Sequence, residues 1–329
     1  MKMRNHVMNG EILRLLKEHR SNFVSGEEMC RHLKVTRTAV WKRIGALRAL
    51  GYEIEASPRT GYRLVRSPDV LSLWEVGPNL KTKWMGKKIH YYQAIDSTNS
   101  AAYQMALRGA DEGEAVIAES QEKGRGRLGR PWFSPPFLNL HLSVILRPKI
   151  PPQQASLLTL MAAVATANTV ERFSGLCPSI KWPNDILLNN RKVAGLLNEI
   201  HSETDRIHFV ILGLGVNLNM DGKALPKEIR TKATSLKEEM GRPVSRKEFL
   251  QSLLKELEGW YSTFSKKGGA PILKAWRARS RIKGKKVRVT SFRETLVGVA
   301  IDVDTDGALI LKTRTGGRRR IVAGDIEYR

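Results

Sequence analysis

Residues 179–218 read SIKWPNDILLNNRKVAGLLNEIHSETDRIHFVILGLGVNL. Four short runs of strand length follow one another here, at 179–182, 185–188, 192–200 and 206–218. Turn residues such as Asn189-Asn190 separate them, so each run folds back beside the last. Consecutive strands joined by tight turns predict a mixed, largely antiparallel sheet with helices on one side, an α+β architecture. Upstream, 89–94 and 115–119 read as strands, with a helix between them capped by Ser97 or Thr98 and running to about residue 108. A further strand over 138–146 precedes a long Ala/Leu-rich helix over 153–172. From Lys285 the chain is again β-rich, with hairpin signals at Asp306-Gly307 and Gly316-Gly317, which predicts a small β-barrel. No internal repeat or long low-complexity segment interrupts this order.

The first 66 residues have a different pattern. Ile12, Leu15 and Leu16 share one helical face, and Ser25 with Glu28 three residues on has the spacing of a capping box. After a short break at Lys34-Val35, Thr36 is placed to cap a third helix whose Val40, Ile44 and Leu47 repeat at i, i+4 and i+7. The opposite face carries Arg37, Thr38, Trp41, Lys42 and Arg48. Gly51 ends that helix, and 52–54 and 62–65 flank the turn Ser57-Pro58-Arg59-Thr60-Gly61 as a hairpin. This is the order of a winged helix-turn-helix. Residues 1–66 hold 14 Lys and Arg against 6 Asp and Glu, the charge that phosphate contacts require. A basic helix alone would read as a solvated face; three helices, a turn and a wing together point to DNA, with Arg37, Thr38, Trp41, Lys42, Arg48 and Arg59 as its contacts. Pro and Gly at 67–69 and 77–79 suggest a connection over 67–84, with domains at 1–66, 85–275 and 276–329.

With 329 residues, 41% of them hydrophobic, the chain can bury at least one core of full size. Its 56 basic and 32 acidic residues, a formal charge of +24, favour polyanionic partners such as DNA or nucleotides. The two cysteines, Cys30 and Cys177, stand apart with no CxxC or Cys/His cluster, which argues against a disulfide framework or a zinc site. No apolar run has the length of a membrane span, and residues 1–10 are polar without an apolar signal core. A cytoplasmic protein with no membrane partner is the expectation.

The stretch QEKGRGRLGRPW, residues 121–132, carries most of the chemistry. Gly124, Gly126 and Gly129 match GxGxxG, but a dinucleotide site needs a helix directly afterwards and an acid some 20 residues on. Pro131, Trp132, Pro135 and Pro136 forbid the helix, and the acid is missing. A Walker loop fails too, since Arg130 and Pro131 stand where lysine and hydroxyl belong. What remains is a glycine loop with three guanidinium groups in six residues, suited either to wrapping an anionic phosphate intermediate or to generic RNA affinity. Asp96-Ser97-Thr98-Asn99 at a helix start, Lys181-Trp182-Pro183-Asn184-Asp185 at a strand end, Arg191 to Gly195 and Gly213 to Asn219 are further segments that can converge on one pocket. Two glycines inside a strand, Gly213 and Gly215, mark a bulge or the close approach of a ligand. His201 and His208 lack a metal-ligand context, and no GxSxG element is present.

In this order DSTN, QEKGRGRLGRPW, KWPND followed by RKVAG, and GLGVN resemble the biotin protein ligases, over roughly residues 86–329. With the winged helix in front, the whole chain resembles the bacterial family that unites a biotin ligase with a biotin operon repressor. The resemblance implies a class II synthetase-like central domain and an SH3-like C-terminal barrel. It implies activation of biotin by ATP and Mg2+ to biotinyl-5'-adenylate, then transfer to a lysine of a biotin carboxyl carrier protein of the acetyl-CoA carboxylase or pyruvate carboxylase type. Arg125, Arg127 and Lys192 would hold the reacting anions together, which this chemistry needs more than a protein nucleophile. Ser97, Thr98, Asn99 and Gln121 would hydrogen-bond the ureido ring. Gly124, Trp132, Gly213 and Gly215, with Arg125, Arg127 and Lys192, would complete the biotin site. Lys181, Asn184, Asp185 and Asn217 would arrange ATP and its metal. Operator DNA and a homodimer formed on biotinyl-adenylate are the further partners implied.

Two features depart from the family pattern. The segment 219–236, which resembles an adenylate-covering loop, has no aromatic residue, and Asn198 stands where many relatives have a smaller or apolar side chain. Ser97 or Thr98 as a mere helix cap, Trp132 as core and Asp185 as a turn residue are the ordinary alternatives. A regulator that senses biotin without catalysing, or a ligase for lipoate or octanoate, are the alternative readings of the whole chain.

Overall fold

The computed structural model describes residues 2–19, 22–291, 294–314 and 316–328, which form two compact units parting between Val70 and Leu71. In the first, α1 (Lys2–Glu18), α2 (Gly26–Leu33) and α3 (Arg37–Ala49) precede a hairpin of β1 (Glu53–Ser57) and β2 (Gly61–Arg66). The caps are those the sequence suggests: Ser25 Oγ accepts from the Glu28 amide at 3.0 Å and Thr36 Oγ1 from the Ala39 amide at 3.2 Å. Val40, Ile44 and Leu47 of α3 are buried with Ile12, Leu16 and Met29. Val24 exchanges both backbone hydrogen bonds with Tyr62, at 2.8 and 2.9 Å, and so adds a third arm to the hairpin. Gly61 is required there, because its φ is +110° and a Cβ would meet the Val24 carbonyl oxygen at 2.0 Å.

The second unit opens with α4 (Leu73–Val76), then β3 (Ile89–Ile95), α5 (Thr98–Leu107), β4 (Ala115–Gln121), β5 (Leu140–Leu146) and α6 (Ala155–Ser174). The four-strand run of the opening motif follows as β6 (Ser179–Lys181), β7 (Asp185–Leu188), β8 (Arg191–Ser202) and β9 (Ile207–Val216). Next come the short helices α7 (Lys227–Arg230) and α8 (Leu236–Met240), then α9 (Arg246–Lys267) and α10 (Ala270–Arg279). The chain ends in β10 (Lys286–Thr290), β11 (Thr295–Val303), β12 (Leu309–Thr313), β13 (Arg318–Ile321) and β14 (Asp325–Tyr328).

The central sheet has seven strands in the order β3-β4-β5-β9-β8-β7-β6. Only its β3–β4 pair is parallel. Strand alternation divides β5 between two faces. Leu140, Leu142, Val144 and Leu146 join the main core with side chains of α6, α9 and α10, while Ile145 packs with Ala102 and Ala106 of α5. Helices therefore cover both faces, not one as the strand run suggested. The crossover between the parallel strands β3 and β4 carries α5 to the opposite side, and that side also holds the candidate site.

The C-terminal strands form an antiparallel sheet in the order β13-β12-β11-β10-β14. A barrel was the expectation; among the described residues no pairing joins the end strands β13 and β14. Val287, Leu309, Leu311 and Ile326 of this sheet share the apolar core of the seven-stranded sheet, and Trp182 Nε1 donates to the Gly307 carbonyl at 3.1 Å. The stretch 67–84, expected as a connection, is divided: Leu71, Val76 and Leu80 are buried in the second unit's core. No described helix is long and apolar enough to cross a membrane.

Candidate active site

Ladder register builds the site floor. Directly opposed residues of neighbouring strands project to one side, so Lys181, Asp185, Gly195, Gly215, His141 and Ala118 form one row across β6, β7, β8, β9, β5 and β4. The next row on the same face holds Leu197, Gly213 and Ser143. Gly195 of β8 and Gly213 and Gly215 of β9 leave this part of the floor bare, and other side chains lie across it. A Cβ at Gly215 would meet the Trp132 indole at 2.5 Å, and one at Gly213 would meet Asn99 Oδ1 at 2.1 Å. At Gly195 a Cβ would meet Lys192 Nζ at 2.8 Å and the Trp132 ring at 3.1 Å. The close approach that glycines in a strand imply is thus made by Trp132 and Asn99.

At one end, the start of α5 supplies a buried polar cluster. Gln121 Oε1 accepts from the Thr98 amide at 2.9 Å and from its hydroxyl at 3.1 Å. Ser143 Oγ lies 2.6 Å from Asn99 Oδ1 and 2.9 Å from Thr98 Oγ1, while Asn99 Nδ2 donates to Glu199 at 2.8 Å. Ser97 Oγ caps α5, accepting from the Ser100 amide at 3.4 Å.

The opposite end is cationic. Lys192 Nζ pairs with Asp185 at 2.7 Å and stands 5.3 Å from the centre of the Trp132 ring. Arg125 belongs to the polar end instead, pairing at 2.8 Å with Glu199, the carboxylate that also accepts from Asn99. Arg127 Nη2 donates to the Gly324 carbonyl at 3.3 Å, and its Nε lies 3.5 Å from Asp325, which also takes Arg130 at 2.7 Å. Burial holds the Arg127 guanidinium below its ordinary range, opposed by the charges of Asp325 and Asp185; an arginine remains a cation there. The glycine loop itself is closed by Gly126 N to Arg130 O at 2.7 Å and Trp132 N to Gly124 O at 2.8 Å. Leu128 and Gly129 turn it at positive φ, and Gly124 is needed where a Cβ would meet the Trp132 carbonyl at 2.9 Å.

Other predicted residues serve as braces. Asn184 Nδ2 donates to the Leu196 carbonyl at 2.6 Å, and Asn217 Nδ2 to that of Thr234 at 2.9 Å. Lys181 lies over the Tyr328 ring at 5.7 Å, on the flank nearer the C-terminal sheet. The segment 219–236 is tied to β8 by Lys192 N to Lys232 O at 2.7 Å and Thr234 N to Lys192 O at 2.9 Å. Asn198 Nδ2 donates to Thr159 at 3.0 Å, turned to the α6 side of the sheet. The motifs missed Ser143, Glu199 and Asp325. A polar residue inside the apolar strand LHLSVIL was the available signal for Ser143; Asp325 is nearly 200 residues from its arginines, and nothing local marked it.

In the first unit, Arg37, Thr38, Trp41 and Lys42 are exposed on one face of α3, Trp41 at 65%. Arg59 stands at the hairpin tip with φ +71°. Arg48 is exposed as well, but its guanidinium donates twice to the Ile54 carbonyl, at 2.9 and 2.6 Å, bracing α3 against β1.

Comparison with known proteins matches three stretches of the chain. The model of the Biotin/lipoate A/B protein ligase family matches residues 91–217, that of an HTH domain 11–63, and that of the Biotin protein ligase C terminal domain 283–329. The bifunctional ligase/repressor BirA of Bacillus spizizenii is 39% identical over 96% of this chain and 97% of its own. That of Bacillus subtilis is 38% identical over the same shares. Among solved structures, the biotin protein ligase from Aquifex aeolicus in complex with biotin and ATP superposes with a TM-score of 0.63 at 27% identity, covering 74% of this chain and 99% of that one.

Proposed function

Because the chain belongs to the bifunctional biotin ligase/repressor family, we propose that its second unit joins biotin to ATP and then to a carrier lysine, and that its first unit reads operator DNA. The observation that carries this reading is the floor row itself. A buried amide and hydroxyl cluster at Thr98, Asn99, Gln121 and Ser143, joined to Arg125 through Glu199, faces, across Trp132 and two glycines, the cations Arg127 and Lys192. A neutral polar ring bound at one end and an anionic tail at the other is the shape of biotin, with Ser97 holding the turn of α5 from which the cluster projects.

Activation requires the biotin carboxylate to attack the α-phosphorus of ATP, with pyrophosphate leaving. Two anions must be brought together, so preorganised cations lower the barrier more than a nucleophilic side chain would. Arg125, Arg127 and Lys192 hold carboxylate and phosphate by exchanging their present carboxylate partners for the substrates' oxygens. Lys181, Asn184 and Asn217 frame the triphosphate side. The acidic complement there fits a magnesium ion carried mainly by phosphate: among the described residues no group of three His, Cys, Asp or Glu converges, and Asp185 is the carboxylate beside Lys192 that would hold it. Magnesium there would neutralise triphosphate charge. In the second step the carrier lysine amine attacks the acyl carbon of the mixed anhydride and AMP leaves. Trp132 above and the segment 219–236 alongside keep water from that anhydride. Biotinyl-adenylate would favour a homodimer able to read a two-fold operator, through Arg37, Thr38, Trp41, Lys42 and Arg59, and the whole cycle runs in the cytoplasm, where ATP and the carrier are.

The test is pyrophosphate release by purified full-length protein with ATP, magnesium and biotin, followed by addition of a biotin carboxyl carrier domain and its mass. Biotin-dependent release and a biotinylated carrier are expected. Binding of biotin with neither product would leave a sensor-regulator in place of the enzyme. Activity with lipoate or octanoate instead of biotin would move the substrate class.

A further inference from the structure

Several buried side-chain atoms without a hydrogen-bond partner are gathered at this site: Arg127 Nε, Trp132 Nε1 and both ring nitrogens of His141. His141 is 1% exposed and belongs to no motif. Its place is set by register. It stands opposite Gly215 on one side and Ala118 on the other, so its ring rises from the floor on the face that Trp132 covers, with only small neighbours beside it. Two residues along β5, Ser143 touches Asn99 and Thr98. His141 therefore lies between the polar cluster and the strand over which Trp132 sits, in the same row as Asp185.

A neutral imidazole always carries one N–H donor and one acceptor nitrogen. Burying both unpaired is costly, and such a group in a native fold calls for a partner. Protonation does not resolve the problem, since burial and the charge of Arg246 push the imidazole down to about 4. The ring is thus a neutral donor, enclosed on the site face of the sheet. If the polar cluster takes the ureido group and Lys192 the carboxylate, as the proposed function has it, the only heteroatom of biotin lying between them is its ring sulfur, a weak acceptor.

We propose that His141 is a specificity-determining residue of the acid pocket, giving its imidazole N–H to the thioether sulfur of bound biotin. The inference rests on the biotin reading, and its test separates the two. Full-length protein labelled with 15N at histidine, with the His141 signals assigned by comparison with His141→Gln, is titrated with biotin and with desthiobiotin, the related acid that lacks the sulfur. Calorimetry reports binding in parallel. Biotin should shift one His141 ring nitrogen and desthiobiotin should leave it nearly unmoved. His141→Phe should reduce the preference for biotin over desthiobiotin about three- to tenfold, the value of one modest hydrogen bond, with KM for ATP unchanged. Biotin that binds while the His141 nitrogens stay unmoved overturns the role of His141 and leaves the pocket standing. Failure of biotin to bind at all removes both. The wild-type titration decides even if His141→Phe does not fold.

Discussion

The indole of Trp132 lies on Gly215 so closely that a single added carbon at that glycine would come within 2.5 Å of the ring. Indole is rigid and held by its own backbone bond to Gly124, so it cannot yield as a flexible chain end would. Gly215→Ala should displace Trp132 and open the pocket wall. We expect KM for biotin to rise about tenfold, the scale of a lost methylene-sized fit, while the circular dichroism spectrum stays that of the parent. An unchanged KM in pyrophosphate release would show that Trp132 is no part of the wall.

Lys192 is fixed between the Asp185 carboxylate and the Trp132 face, poised over the floor row. Lys192→Met keeps the length of the stem and its contact with the ring but removes the charge. Loss of one preorganised cation from a charge-developing step costs about 10²–10³ in kcat. The expected result is that loss in pyrophosphate release, with biotin binding by calorimetry changed far less. Equal loss of binding and turnover would assign Lys192 to holding biotin only.

Local chemistry made much of this legible beforehand. Asn189 and Asn190 both sit at positive φ, as a two-residue hairpin turn demands, and Val40, Ile44 and Leu47 of α3 are buried as their spacing dictates. Glycines at 213 and 215 announced a close approach, though not by which side chain. What stayed hidden depends on partners distant in the chain. Glu199 meets Arg125 across 74 residues and Asp325 anchors Arg127 from the last strand. Arg48 shows the same limit: exposed like Lys42, it is nonetheless held by a carbonyl that only the folded hairpin brings near. The side of the sheet taken by α5 likewise follows from a parallel crossover that no single segment encodes.

Glu119 and Arg246 are both fully buried and 2.6 Å apart. The carboxylate also accepts from Tyr91 Oη at 3.0 Å and the Leu71 amide at 3.3 Å, which ties the start of the second unit to β3, β4 and α9. Glu119→Gln leaves the arginine as a buried cation without its counter-charge, a change worth about 3–5 kcal/mol. Thermal unfolding should show a Tm lower by roughly 10 °C. A shift within the scatter of repeat scans would mean that Arg246 finds other compensation.

Phosphate contact by α3 predicts a salt signature. Lys42→Ala and Arg37→Ala should each weaken binding to a mixed-sequence DNA duplex and reduce the slope of log affinity against log salt by about one, leaving pyrophosphate release as in the parent. Arg48→Ala should act differently, lowering the melting temperature of the first unit through loss of its two bonds to Ile54. Equal salt slopes in parent and Lys42→Ala would remove Lys42 from the contact set.

His141 gives a pH dependence whose sign follows from its burial. Burial, reinforced by the charge of Arg246, holds the folded imidazole at about 4 against an ordinary 6.5. The unfolded chain therefore binds the proton first as pH falls. Stability due to the neutral ring is fully present above about pH 6.5, and it declines as pH drops toward 4, by up to about 1.4 kcal/mol for each pH unit. Below that value the folded ring protonates as well and the loss levels off. His141→Phe, which titrates nowhere in this window, should unfold with a shallower dependence between pH 6.5 and 4 than the parent, measured by urea midpoints at each pH. Parallel curves for the two proteins would show that the ring is protonated in the fold at an ordinary pH, and would place a counter-charge beside it.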